Sequence, residues 1–154
     1  MTQNETLLLG IDIGTTGTKC AIYDLKGELV AHAYQEYSMI HPQPSWTEQD
    51  PHRWWNAVQT NLRDCFEQQG IDSSRIASIG LSCTNAMTLV DEAGEPVYNA
   101  IGHHDKRADP QVAWLRERVG EDLVLRVTAN KLDKGSCAGS STTAPSWWLG
   151  RIKC

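Results

Sequence analysis

The chain has 154 residues, with 14 Lys+Arg against 19 Asp+Glu and a formal net charge of -5. That length suits one domain burying roughly two-thirds of its unfolded surface, and 40% hydrophobic against 21% charged residues excludes a disordered tail. The negative balance, with a pI near 5.5, argues against nucleic acid or an anionic membrane as a partner.

Residues Leu7 to Ile13 are apolar almost throughout and predict a buried central strand. Gly14-Thr-Thr-Gly-Thr follows as a turn, and Cys20 to Asp24 reads as a second strand. Asp24-Leu-Lys-Gly27 is a tight turn into a third strand, Leu29 to Tyr37, which completes an antiparallel meander. The Pro-rich stretch Met39 to Asp50 is a loop. Asp50-Pro51 then starts a helix, with Asp50 as cap and Pro51 in the first turn. Trp54, Val58, Leu62, Cys65 and Phe66 recur at helical spacing until Gly70.

Ile76-Ala-Ser-Ile-Gly80 predicts a short buried strand, and Met87 to Asp91 another, turning at Gly94 into Val97. Asp24-x-x-Gly27-Glu28 and Asp91-x-x-Gly94-Glu95 share a pattern that turn chemistry alone explains. Asp109-Pro110 repeats the helix-start device, with Val112, Leu115 and Val119 on one face, and Glu121 to Val127 reads as a third helix. Lys131 to Ser146 reads as loop. A helix opens at Pro145 to Leu149, and its early end at Cys154 gives the chain a cut appearance.

No membrane-length apolar run and no basic leader are visible, so a cytoplasmic protein is expected. The five cysteines, odd in number and without a Cys-x-x-Cys pair, read as reduced thiols.

The chemistry concentrates in Leu9-Gly-Ile-Asp12-Ile-Gly14-Thr15-Thr16-Gly17-Thr-Lys19. A strand brings the Asp12 carboxylate to its end, glycines let backbone N–H groups close on phosphate oxygens, threonine hydroxyls add donors, and Lys19 supplies a cation. The Walker A spacing is absent, and a strand rather than a helix follows. The plainer alternative is a Gly/Thr-rich hairpin with a solvated Asp12.

Three segments then occur in order: Ile11-Asp12-Ile13-Gly14-Thr15-Thr16, Ser45-Trp46-Thr47-Glu48-Gln49-Asp50-Pro51, and Asn99-Ala-Ile-Gly-His103-His104-Asp105-Lys-Arg107. Together they resemble the N-terminal half-domain of the FGGY carbohydrate kinases, the group that contains xylulokinase, glycerol kinase and gluconate kinase. The resemblance spans about Leu7 to Leu149 and implies one incomplete N-terminal domain over residues 1–154. The implied fold is an α/β, ribonuclease-H-like domain of the actin/hexokinase ATPase type with a mixed sheet.

The resemblance also assigns roles. It puts Asp12 near Mg²⁺, directly or through water, and near the γ-phosphate of ATP. Gly14, Thr15, Thr16 and Gly17 line the phosphate turn, and Lys19 stands where the family often has a cation. Substrate contacts fall on Asn85, His103, Asp105 and Arg107. At Asn85-Ala86, glycerol kinases carry Arg-Glu and xylulokinases Met-His, and His103 replaces a family tryptophan. The implied activity is ATP-dependent phosphorylation of a sugar or polyol, a xylulose-like ketose first. Its general base is an aspartate beyond Cys154, so no turnover is expected from these residues alone. The alternative is a non-catalytic nucleotide- or sugar-binding module, or the product of a disrupted kinase gene. A homodimer is left open by Trp147 and Trp148.

Several residues have plainer roles. Trp54, Trp55, Trp147 and Trp148 read as packing residues, Trp46 as a loop anchor, and Asp50 as a helix cap rather than the partner of Glu48 in acid–base work. Asp105 and Arg107 are balanced between a structural ion pair and a substrate role. His103-His104-Asp105 reads as loop rather than a metal site, and no nucleophile is assigned to Cys83.

Overall fold

A computed structural model describes residues 6–129. Over these residues the chain divides into two compact units. The first is built from the stretches up to Ile40 and from Gln49–Ala100, the second from His41–Glu48 and from Ile101 onward.

The first unit is built on a four-stranded sheet whose strands, from edge to edge, are β3 (Leu29–Glu36), β2 (Gly17–Asp24), β1 (Leu7–Ile13) and β5 (Ile76–Cys83). Strands β1 (Leu7–Ile13), β2 (Gly17–Asp24) and β3 (Leu29–Glu36) form the expected antiparallel meander. Asp24 closes the β2–β3 turn by accepting from the amides of Lys26 and Glu28 at 2.8 and 2.9 Å, while Gly27 takes φ +87°. Asp91 repeats this with Ala93 and Glu95, both at 2.9 Å, and Gly94 sits at φ +83°. The shared pattern is turn chemistry.

Helix α1 (Pro51–Arg63) crosses from the meander to β5 (Ile76–Cys83), which pairs parallel with β1. Asp50 caps α1 as expected, accepting from the His52 amide at 2.9 Å. The helix runs on into a π-helical turn, Asp64–Gln68, and Gly70 follows at φ +69°. Alternation along β1 and β2 turns Leu7, Leu9, Cys20 and Ile22 into a core with Ala31, Ala33 and Cys65, and Leu62 and Phe66 pack against it. Burial pushes the Cys20 thiol up to about 11, with the neighbouring Cys65 adding to the effect, so neither buried thiol is a ready nucleophile.

Several expectations need correction. β2 begins at Gly17, not Cys20, which tightens the phosphate turn to Gly14–Thr16. β5 is longer than expected and exposed rather than buried: Ile79 and Leu81 are 62% and 69% accessible. Their register, Leu9↔Ile79 and Ile11↔Leu81, puts them on the core side of the sheet, but α1 packs over β2 and β3 and only brushes β1. The apolar composition of β5 is real, yet among the described residues its edge is uncovered. Trp55, expected to pack, is 61% exposed on α1. The strand expected over Met87 to Asp91 shrinks to β6 (Ala86–Met87) and a bridge between Val90 and Pro96, because the Asp91 turn takes the rest.

In the second unit, helices α2 (Asp109–Arg118) and α3 (Glu121–Thr128) pack Ala108 and Val112 against Leu115 and Val124. Asp109 does not cap α2. The chain leaves the preceding turn already coiled, with the Asp109 amide donating to Lys106 O at 3.1 Å, so Ala108 is the cap and Asp109 is in the first turn. Val119 closes α2 at its C-cap. The remaining elements among the described residues are the short strands β4 (Glu48–Gln49) and β7 (Ala100–Gly102) and a 3-10 turn, Ser73–Arg75, just before β5. The loop expected from Lys131 and the helix with Trp147 and Trp148 lie outside the described residues.

Candidate active site

Strand β1 ends where its antiparallel and parallel neighbours set Asp12 opposite Lys19 on β2 and Ser82 on β5. Lys19 in turn faces Tyr34 on β3. Cross-strand partners share a face, so Asp12 and Lys19 stand together on the side of the sheet away from the core. Both are exposed. Among the described residues, neither charge is held in an ion pair.

The turn between β1 and β2 is closed by the Gly14 amide, which donates to Gly17 O at 2.9 Å. Its three carbonyls are each bound from outside. Tyr37 Oη donates to Gly14 O at 2.6 Å, Gln49 Nε2 to Thr15 O at 2.7 Å, and the Tyr37 amide to Thr16 O at 3.1 Å. The Thr15 hydroxyl shares a hydrogen bond with that of Thr84 at 3.2 Å, and the Thr84 amide donates to Ile13 O at 2.7 Å. A Cβ on Gly14 would lie 2.9 Å from the backbone Gly17 O, so that position demands glycine, whereas one on Gly17 would meet only the Tyr34 ring, a half-exposed side chain that would have to swing aside. Buried Asn61 ties α1 to the same region by donating to Thr18 O at 2.8 Å.

Asn85 is exposed just past the end of β5, beside Thr84, in this same unit. The other expected substrate residues belong to the second unit. His103 and His104 are exposed, with ring centroids 3.8 Å apart. Asp105 is buried and the Arg107 side chain nearly so, and they pair through Arg107 Nε to Asp105 Oδ1 at 2.8 Å and Arg107 Nη2 to Asp105 Oδ2 at 2.9 Å. Arg107 Nη2 also donates to Glu48 Oε1 at 2.7 Å, and the Thr47 amide donates to Asp105 Oδ2 at 2.7 Å. The guanidinium lies over the Trp46 ring, 4.0 Å from its centroid, so Trp46 anchors its loop on a cation. Burial pushes the Asp105 carboxyl up, but the hydrogen bonds from Arg107 and the Thr47 amide, with the Arg107 charge, outweigh it and hold the pKa below its ordinary value.

Sequence inspection misses Tyr37, Gln49 and Thr84. Tyr37 reads as the end of a strand, and Gln49 as one letter of a motif. The available signal is that Gln49 sits one residue before a helix cap without any capping role of its own.

An aspartate at the end of the first strand and a Gly/Thr hairpin behind it, set in a β3-β2-β1-β5 mixed sheet, define the opening of the actin/hexokinase-type, ribonuclease-H-like fold. The family profile "FGGY family of carbohydrate kinases, N-terminal domain" matches residues 7–140, and the chain belongs to this family. The glycerol kinase of Paracidovorax citrulli is 32% identical over 149 residues, 96% of this chain and 29% of that protein. Xylulose kinase from Rhodospirillum rubrum superposes with a TM-score of 0.84 at 27% identity, over 95% of this chain and 31% of its own. Plasmodium falciparum glycerol kinase, solved with ADP, shares the fold at a TM-score of 0.70 and 20% identity, over 84% of this chain and 26% of its own. The chain thus spans less than a third of the length of these relatives.

Proposed function

We propose that this chain is the N-terminal part of an ATP-dependent carbohydrate kinase and forms the phosphate-binding half of its site. The observation that carries this reading is the Gly14–Thr16 turn. Its carbonyls are all bound by protein donors, beside an exposed carboxylate and an exposed ammonium that have no ion-pair partner among the described residues. Exposed, unpaired opposite charges on one face suit a ligand that carries both phosphate oxygens and a divalent cation.

The residues present fit Mg-ATP. One carboxylate, Asp12, is the usual protein contribution to a Mg²⁺ that keeps several waters and bridges phosphates. Bound there, the ion would neutralise charge on the transferring phosphoryl group. Thr15 and Thr16 offer amides and hydroxyls to phosphate oxygens, and Lys19 offsets their charge. These groups bind and orient, which is what phosphoryl transfer chiefly needs from a protein. The base that accepts the substrate's hydroxyl proton is assigned to a downstream aspartate, and the 154-residue chain alone is expected not to turn over.

The substrate is a sugar or polyol. A xylulose-like ketose is favoured by the Trp46-Thr47-Glu48-Gln49-Asp50-Pro51 motif and by Asp105-x-Arg107, while the glycerol kinase relatives favour a small polyol. Asn85 and His103, both exposed, are the proposed hydroxyl contacts. Asp105 and Arg107 brace the loop that carries His103, because their polar atoms are turned onto each other, Glu48 and Thr47. We place the protein in the cytoplasm; among the described residues no helix is long and apolar enough to cross a membrane.

The test is Mg-ADP titration against thermal unfolding. A rise in melting temperature that needs Mg²⁺ and disappears in Asp12→Asn supports the reading. A shift that survives Asp12→Asn unchanged contradicts the role of Asp12, and sugar-dependent ADP release by the 154-residue chain contradicts the downstream base. Phosphorylation of a panel of ketoses and polyols by the longer protein then separates the two substrate classes.

A further inference from the structure

We infer that Tyr37 and Gln49 are positioning residues that fix the direction of the Thr15 and Thr16 amides for a phosphate group; this rests on the nucleotide reading above. A trans peptide is planar, so the C=O of one residue and the N–H of the next point in opposite directions. Whatever holds a carbonyl therefore aims the following amide the other way. The 2.6 Å bond from Tyr37 Oη to Gly14 O aims the Thr15 N–H, and the 2.7 Å bond from Gln49 Nε2 to Thr15 O aims the Thr16 N–H. Neither of those two amides donates to an acceptor among the described residues. The Tyr37 amide, on Thr16 O at 3.1 Å, closes the set.

Without these tethers each peptide plane of the turn could rotate and present a carbonyl, whose partial negative charge repels phosphate. Gln49 is 3% exposed and so does not itself reach a ligand. Tyr37 is braced by the Thr18 hydroxyl at 3.3 Å, which holds its ring in the donating orientation. The two tethers come from different elements, β4 and the end of β3, so each controls one amide independently.

Tyr37→Phe and Gln49→Met each delete one donor while keeping shape. Each is expected to weaken Mg-ADP binding by about fivefold to tenfold, the worth of one hydrogen bond. The decisive readout is backbone amide NMR of the free protein. Tyr37→Phe should make the Thr15 amide mobile while Thr16 changes less, and Gln49→Met should do the reverse, with the β1–β3 amides unchanged in both. A merely structural role would lower melting temperature and loosen the whole sheet together.

Variants that bind Mg-ADP as the wild type does, with both turn amides rigid, would overturn the inference. Mobile Thr15 and Thr16 amides in the wild type would overturn it as well. Rigid wild-type amides that loosen crosswise in the variants, in a protein that does not bind Mg-ADP, would instead uphold the tethers and remove the nucleotide reading.

Discussion

The Gly14–Thr16 turn and the Asp105–Arg107 cluster are both small, polar and sharply defined, but they are built on opposite plans. In the turn, the backbone is tied down and the side-chain charges of Asp12 and Lys19 are left facing solvent. In the cluster, the charges are buried and satisfied within the unit, with Arg107, Asp105 and Glu48 side chains at 7%, 3% and 1% exposure. A site that waits for a ligand keeps its charges unpaired and its geometry fixed by other groups. A strut pairs its charges and so has little left to offer a ligand.

The largest effect should come from breaking the strut. Arg107→Met leaves two buried carboxylates without their guanidinium and should cost about 3–5 kcal/mol, read as a fall in the denaturation midpoint. Arg107→Lys should recover little, because an ammonium cannot make the forked contact to Asp105 and reach Glu48 together. A mild loss in both variants would mean that the cluster is less tightly coupled than its distances indicate.

Next comes Gly14→Ala, whose Cβ meets backbone at Gly17 O. It should cost about 1–3 kcal/mol and abolish the Mg-ADP-dependent thermal shift. Asp12→Asn sharpens the contrast from the other side: replacing an exposed group that stands outside any ion pair among the described residues should change stability by no more than about 0.5 kcal/mol, yet remove the Mg²⁺ dependence of ADP binding. Equal losses of stability from Asp12→Asn and Arg107→Met would erase the distinction between site and strut.

Acid should weaken the fold in part through the cluster. The Asp105 carboxyl is held below its ordinary value of 3.8, so its ionised form stabilises the fold above that value. That contribution is lost as pH falls through the lower folded value. Denaturation midpoints between about pH 5 and about pH 2 should therefore fall less steeply in Asp105→Asn than in the wild type. The smallest effect belongs to the exposed β5 edge, where Ile79→Thr and Leu81→Thr should each shift stability, read from the denaturation midpoint, by no more than about 0.5 kcal/mol.

The sequence made the turn legible because Asp12, Gly14, Gly17 and Lys19 are local, and each residue type has a restricted set of uses. It also made the meander and the first helix start legible, through the apolar alternation and Asp50-Pro51. What it could not show was tertiary. Tyr37 and Gln49 reach the turn from 23 and 34 residues away, and nothing in their local spacing marks them as donors. β5 reads as buried because Ile76, Ile79 and Leu81 are apolar, but burial depends on what lies over a strand. At Asp109-Pro110, the same letters that cap α1 failed to cap α2, since the turn before them sets the backbone first.

The parallel pairing of β1 with β5 has a kinetic consequence. β1 finds β2, and β2 finds β3, through short hairpins, whereas the other edge of β1 must wait for the α1 crossover before Ile13 can meet Cys83. Pairing strands across that sequence separation is slow compared with local hairpin formation, because the closure entropy is lost before any contact repays it. The meander should thus assemble early as a three-stranded nucleus. The Ile13–Thr84 contact behind the turn should lock late, making the Asp12 end of β1 one of the last parts of the sheet to become rigid.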